Sequence, residues 1–279
     1  MIRICRKLIK WLYLRIRLLI RLNLIKTFYI NFRTQPFGKA IKFPIFVYGR
    51  LKILSLRGNF IIEAPISLGM IKIGYKYIDL FPASLIPAQI KITGKLIVAG
   101  NLIIGGGVSF FVEGTHSLMK VGKNCTIGGG SYIKATNNVE FGDNVQITGE
   151  CVIMDCEMHY VRNIETGLIK RNFGIIYIGA NCWINQRTII VKNSIIPKYS
   201  ITARASYLNK DYSLYGTNLL LFGSPAIPKD DKFQRIFNIN QEAELGNYFR
   251  GNMNNLYFKS NEGIIDNDNN NCPLFSWIN

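Results

Sequence analysis

Histidine is almost missing from this chain: among 279 residues there are two, His116 and His159. That leaves no set of imidazoles for a catalytic zinc, and no metal is expected. The six cysteines, Cys5, Cys125, Cys151, Cys156, Cys182 and Cys272, contain no CxxC pair. Neither a structural zinc nor a disulfide framework is supported by that spacing. Acid is absent from the first 62 residues, which hold fourteen of the 34 basic residues; the first carboxylate is Glu63. The remaining 20 bases nearly balance the 17 acids, so the formal charge of +17 belongs to an N-terminal arm. The body offers no second basic element and no aromatic-stacking motif, which excludes a nucleic-acid partner. Long apolar runs are also lacking. No stretch of the arm approaches the roughly 20 residues needed to span a bilayer. Arg15, Arg17 and Arg21 break the uncharged centre that a signal peptide requires. A reducing, cytoplasmic setting is therefore expected.

Within the arm, residues 2 to 25 read as a helix of Leu, Ile, Trp and Tyr with basic residues between them. At 100° per residue, Arg3, Arg6, Lys7, Lys10, Arg17 and Arg21 fall within one arc of about 100°. Such a helix suits the inner face of a cell membrane, cationic stripe to the headgroups and Trp11, Leu12, Leu19 and Ile20 in the acyl boundary. The competing expectation is a helix packed on the body with a solvated basic face.

The central region repeats every six residues. Ile92, Val98, Ile104 and Phe110 keep that spacing, and Val121, Ile127, Ile133 and Val139 resume it. Phe141, Ile147 and Ile153 follow after a two-residue shift, and Ile178, Ile184, Ile190, Ile196, Thr202 and Leu208 after a longer gap. Two positions before the apolar member stands a small residue, as in Cys125, Ser131, Cys151, Cys182, Thr188, Ser194, Ser200 and Ser206. Between them lie turn formers such as Gly122-Lys-Asn124, Gly142-Asp-Asn144 and Gly179-Ala-Asn181, suited to positive φ at a tight corner. Each hexad is then a short strand plus a corner, three hexads close a triangular coil, and coils stack as parallel strands. Residues 18 apart, such as Ile178 and Ile196, lie one above the other. Cys125, Cys151 and Cys182 occupy the small inward slot as compact hydrophobes.

Hexads such as Val121-Gly-Lys-Asn-Cys-Thr and Ile178-Gly-Ala-Asn-Cys-Trp resemble those of the hexapeptide-repeat acyltransferases. Over residues 90 to 230 the chain is similar to the branch of O-acetyltransferases of bacterial capsule and lipopolysaccharide biosynthesis. Residues 36 to 75 resemble the lead-in of that branch. The fold implied is a left-handed parallel β-helix, an all-β solenoid, with the basic helix before it and a short C-terminal extension after it. Expected boundaries are 1–59 for the arm, 60–228 for the β-helix with an excursion at about 155–176, and 229–279 for an extension, partly mobile around Asp266–Asn271, that covers the last coil.

The segment Ile153-Met-Asp-Cys-Glu-Met-His159-Tyr is similar to the one in which the branch places its catalytic histidine. It interrupts the hexads and so must loop out of the prism. Acyl transfer from a thioester to a sugar hydroxyl needs a base, and an imidazole with a pKa of about 6.5 is mostly neutral near pH 7. Asp155 or Glu157 would fix its tautomer. A surface-loop histidine and a nucleophilic Cys156 are the competing readings of this segment. His116, after Glu113-Gly-Thr, reads as an exposed corner residue.

Asn181-Cys-Trp183-Ile precedes the last coils, with Trp183 pointing outward, and Lys210-Asp211 and Gly223-Ser-Pro225-Ala resemble the family's coenzyme A groove. The resemblance thus implies acetyl-CoA as donor, with Trp183, Arg204, Lys210, Gly223 and Pro225 toward it. It also implies a homotrimer whose sites lie between neighbouring prisms. Three departures stand out: Glu157 where the family commonly has a second Asp, Asn185 and Asn193 where it has glycines, and Arg204 in place of a small residue. The function expected is acetyl transfer from acetyl-CoA to a hydroxyl of a sugar or lipid-linked surface glycan. Transfer to an amino-sugar nucleotide and a non-catalytic membrane scaffold are the alternatives. A β-helix carbonic anhydrase would need three histidines.

Overall fold

The computed structural model describes residues 21–76 and 86–259. The basic stripe from Arg3 to Arg17, Trp11 and its apolar neighbours, Cys5, Cys272 and Asp266–Asn271 lie outside them.

Seven coils stack into a prism with three parallel sheets. A helix α1 (Leu24–Thr34) and a short α2 (Phe37–Ala40) precede the first coil, which is β1 (Ile45–Val47), β2 (Leu51–Leu56) and β3 (Asn59–Ile62). The second holds β4 (Ile71–Tyr75), β5 (Ala88–Ile92) and β6 (Lys95–Val98). The third holds β7 (Leu102–Gly105), β8 (Ser109–Val112) and β9 (Leu118–Val121). The fourth is β10 (Cys125–Ile127), β11 (Tyr132–Ala135) and β12 (Asn138–Phe141). The fifth is β13 (Gln146–Ile147), β14 (Val152–Met154) and β15 (Ile175–Ile178). The sixth is β16 (Trp183–Ile184), β17 (Ile189–Val191) and β18 (Ser194–Ile196). In the seventh, β19 (Ile201–Thr202) and β20 (Tyr207–Leu208) lead to β21 (Leu219–Gly223) and β22 (Ala226–Lys232). A last helix, α3 (Ile239–Gly251), follows.

Up to β20 every third strand joins the same sheet. The first sheet runs β1-β4-β7-β10-β13-β16-β19-β21-β22, the second β2 to β20 and the third β3 to β18. This is the stack of triangular coils that the hexads predict, and the left-handed parallel β-helix that the family resemblance implies. The coils begin at Ile45, so residues 45–59 belong to the stack rather than to the arm. Register shifts at Ile53/Ser55 and Ile73/Tyr75 spoil the six-residue period there.

The repeat works as its spacing requires. From Ile92 to Leu208 every apolar member named above is buried, and so is every small member. Ile178 stacks on Ile196. Each fully buried Ile contributes about 1.5–3 kcal/mol, so the inward columns carry the stability. Burial pushes the thiols of Cys125 and Cys182 up to about 12 and that of Cys151 to about 11, which leaves them inert at neutral pH.

At the corners the division of labour differs from the expected one. Asn124, Asn144 and Asn181 take the positive φ, at 55°, 61° and 58°. The preceding glycines serve close approach instead: a Cβ on Gly142 would lie 2.5 Å from the Ala180 nitrogen of the next coil. The asparagines also form a ladder, Asn101 Nδ2 donating to Asn124 Oδ1 at 3.1 Å and Asn144 Nδ2 to Asn181 Oδ1 at 3.1 Å. Asn193 adopts positive φ as its position suggests, but in the neighbouring corner Arg187 does so rather than Asn185.

Both ends of the prism are covered. At the first coil the polar side of α1 ties off the strands. Asn31 Nδ2 donates to the Ile45 carbonyl at 2.7 Å, Thr27 Oγ1 accepts from Val47 N, and Gln35 Nε2 donates to the Phe60 carbonyl. The helix expected over residues 2–25 does not run through its last residues. Leu22 bridges Tyr48, and Asn23 caps α1, its side chain accepting from Lys26 N. At the far end the fully buried Tyr212 plugs the core, its hydroxyl donating to the Ala226 carbonyl at 3.2 Å. The antiparallel β21–β22 hairpin closes the first sheet.

Candidate functional site

The site is built on the fifth coil, where the chain leaves the prism between the second and third sheets. Asn138 pairs with Ile175, whereas Ile176 pairs with Ser194, so this coil is about twice as long as the next. The excess is an arm of two antiparallel limbs. Cys156 bridges Phe173, Arg162 bridges Ile169, and Glu157 N donates to the Asn172 carbonyl at 2.6 Å. Asn163 closes the tip by accepting on its Oδ1 from Glu165 N and Thr166 N, both at 2.9 Å.

Asp155 is the root of this arm. It is completely buried, and both carboxylate oxygens are committed to the coil below. Oδ1 accepts from Thr136 N at 2.8 Å and Thr136 Oγ1 at 2.9 Å, and Oδ2 accepts from Asn137 N at 2.7 Å. Its carbonyl receives Gly174 N at the returning limb, and Asn137 Nδ2 donates to the Gly174 carbonyl. A buried carboxylate is tolerated when it is bonded in this way. Asp155 therefore clamps the exit and return of the arm together and does not orient an imidazole. That corrects one of the two carboxylate assignments.

Glu157 is exposed and paired with Lys192 of the next coil, Nζ to Oε2 at 2.8 Å. Lys192 also donates to the Arg171 carbonyl at 3.2 Å, so it ties both limbs down from above. Among the described residues Glu157 makes no hydrogen bond or ion pair with His159. Beneath the arm, Lys134 Nζ lies 4.0 Å from Met158 Sδ and 2.9 Å from Glu113 Oε2, and Lys91 pairs with the other oxygen of Glu113. Hydrogen bonds from Lys91 and Lys134 hold the Glu113 carboxyl below the usual range. Burial works against the Lys134 ammonium, but the hydrogen bond and charge of Glu113 outweigh it and raise its pKa.

His159 thus follows two anchored residues, Met158 over Lys134 and Glu157 against Lys192. Its own ring is exposed and makes no hydrogen bond or ion pair among the described residues. The backbone is placed and the imidazole is free to meet a proton from outside the chain. Met158, Tyr160, Val161, Ile164, Leu168 and Ile169 are exposed along the same arm. Cys156 is buried at its base. His116 sits exposed in a turn, as its sequence context suggests.

The residues expected to face a coenzyme divide between two parts of the prism. Trp183 points outward from the first sheet, stacked between Gln146 and Ile201. The guanidinium of Arg235, from the segment after β22, lies 5.0 Å from its ring centroid. The pairing of Thr202 with Leu221 carries Arg204 and Gly223 to one edge, between the first and second sheets. Arg204, Gly223 and Pro225 are all exposed there. Lys210 lies elsewhere, at the edge that bears the arm, because the adjacent Asp211 bridges Ile195 of the third sheet. Its ammonium sits 5.5 Å from the rings of both Tyr212 and Tyr215. One chain therefore brings His159, Lys192 and Lys210 to one edge, and keeps Trp183, Arg204, Gly223 and Pro225 on another face and edge.

Sequence reasoning missed Lys134, Glu113, Lys192 and Arg235. Register was the usable signal for Lys134, which stacks above Phe111 and Lys91 on the outer face of the second sheet. No local pattern marks Arg235.

No protein-family model matches the chain, and no curated protein matches it. Solved structures do. The polySia-specific acetyltransferase NeuO aligns over 78% of this chain and 91% of its own, with 13% identity and a TM-score of 0.48. The polysialic acid O-acetyltransferase OatWY aligns over 71% and 95%, with 13% identity and a TM-score of 0.37. AntD, an N-acyltransferase from Bacillus cereus solved with dTDP and 3-hydroxybutyryl-CoA, aligns over 76% and 89%, with 16% identity and a TM-score of 0.30. At these identities the likeness is one of architecture and assigns no residue a role.

Proposed function

We propose that this chain is an acyl-CoA-dependent O-acetyltransferase of the hexapeptide-repeat kind, acting on a hydroxyl of a bacterial surface glycan. The observation that carries this reading is His159: an exposed imidazole with no hydrogen-bond or ion-pair partner among the described residues, on an arm clamped to a β-helix by a buried carboxylate. In the reaction, the acceptor hydroxyl attacks the thioester carbonyl while His159 takes its proton. The C–S bond breaks, the thiolate leaves, and the imidazolium returns a proton to it. A thiolate is a good leaving group, so no acyl-enzyme is needed, and the inert buried thiols are consistent with that.

Trp183, Arg204, Gly223 and Pro225 form the donor side of this reading, and Lys210 offers a cation on the histidine side. Because these groups divide between two edges, the complete site is composed between chains, most simply in a homotrimer. Arg235, over the indole of Trp183, and Arg204 at the neighbouring edge supply positive charge for the donor's phosphates.

The test is to incubate purified protein with acetyl-CoA and the surface glycan of the parent cell, reading free thiol and glycan mass. Acyl-CoA-dependent thiol release with one added acetyl per acceptor, removable by mild base as an ester, is the expected result. A base-stable amide would move the activity to an amino sugar. No acylated product with any glycan fraction would overturn the reading.

A further inference from the structure

The helix that caps the first coil is amphipathic in the reverse of the usual sense. Thr27, Asn31 and Gln35 face the prism and are buried, bonded to backbone groups of the edge strands β1 and β3, with Ile30 buried in the core beside them. Leu24, Ile25, Phe28 and Tyr29 face away from it, with exposures of 70%, 81%, 57% and 49%. Phe32 stacks on Phe28 with ring centroids 4.4 Å apart, and Phe37 and Ile41 continue the patch beyond α1, also exposed. A surface helix ordinarily turns its apolar stripe inward. Here the inward side is polar apart from Ile30, because the first coil presents open backbone groups that need partners. That requirement does not account for an aliphatic and aromatic outer side. A contiguous exposed patch of this kind marks an interaction surface.

The rim of the patch is cationic. Arg21, Arg33 and Lys42, all exposed, and the partly buried Lys26 lie along the same segment, and no acid occurs before Glu63. We propose that this end of the prism docks on an anionic phospholipid surface, with Ile25, Phe28, Tyr29 and Phe37 entering the acyl boundary and the four cations at the headgroups. Charge decides between occupants. Residues 1–20 carry Arg3, Arg6, Lys7, Lys10, Arg15 and Arg17 with no acid, so against this rim they would meet like charge. A second copy would set the same cationic rim against itself. An anionic bilayer supplies both the apolar phase and the opposite sign. Among the described residues no helix is long and apolar enough to cross a membrane, and the docking needs none. The proposal does not depend on the acyl-transfer reading.

The experiment is flotation of the full-length protein with vesicles of phosphatidylcholine alone, or of equal parts phosphatidylcholine and phosphatidylglycerol. A triple variant, Ile25→Gln, Phe28→Gln and Phe37→Gln, keeps every charge and alters only exposed side chains. Wild type should float with the anionic vesicles, weakened but not released at about 0.5 M salt, where surface charge is largely screened. The variant should lose at least about tenfold of that salt-resistant partition. Tyr29→Trp should add fluorescence that brominated acyl chains quench. A variant that floats like wild type at high salt, or fluorescence at position 29 indifferent to brominated lipid, would overturn the proposal. So would unchanged flotation with a changed sedimentation coefficient, which would make the patch an interface between copies. Acyl transfer to a soluble acceptor should be the same in the variant, so either reading can fail without the other.

Discussion

Two acidic residues only two positions apart serve different purposes. Asp155 satisfies two backbone amides and a hydroxyl where the chain leaves the stack, while Glu157 makes a surface pair with Lys192. Surface pairs contribute little, whereas removing a buried, fully bonded carboxylate strands its donors. Asp155→Ala should therefore cost about 2–5 kcal/mol and loosen the arm, while Glu157→Ala should leave stability nearly unchanged. Thermal unfolding combined with limited proteolysis within residues 157–172 checks this, and equal behaviour of the two variants would contradict it. From sequence the two carboxylates are equivalent, since both precede His159 in a stretch without a repeat. What separates them is depth, and depth depends on the coil beneath, which supplies Thr136 and Asn137.

Among the elements, the hexad was legible because one strand and one corner fill six residues, and burial acts on every sixth side chain. The columns from Ile92 to Leu208 need nothing beyond that geometry. The first coil and the start of the second were hidden because shifts near Ser55 and Tyr75 displace their inward residues from the period. The end of the N-terminal helix was misplaced for a different reason. Composition does not reveal that Leu22 pairs with Tyr48 and breaks the run before Asn23 caps a new helix. The corners carry a separate lesson, because their glycines answer to the neighbouring coil. Gly142→Ala places a methyl 2.5 Å from the Ala180 nitrogen, whereas a Cβ on Gly106 finds nothing nearer than 3.9 Å. We expect Gly142→Ala to destabilise by about 1–3 kcal/mol or more, and Gly106→Ala by under about 1 kcal/mol. Chemical denaturation of both variants measures the difference. Equal midpoints would remove close stacking as the reason for glycine at that corner.

For the whole molecule, the consequential fact is the separation of the candidate residues. His159 stands at the edge between the second and third sheets, and Arg204 and Gly223 at the edge between the first and second. Sequence motifs name such residues without saying which edge receives them, because edge position depends on how many residues each coil consumes. If catalysis needs both edges, assemblies mixed from His159→Ala chains and Arg204→Glu chains should regain part of the activity that each homogeneous assembly lacks. Sedimentation should show a trimer. A stable, active monomer, or mixing without recovery, would place the whole site in one chain. The most direct measurement remains thiol release from acetyl-CoA, with the parent cell's surface glycan as acceptor, by wild type and by His159→Ala. The ring is exposed and makes no hydrogen bond among the described residues, so the variant should unfold at the wild-type temperature while its rate falls by about 10² to 10⁴. A folded His159→Ala protein that turns over like wild type would contradict the account.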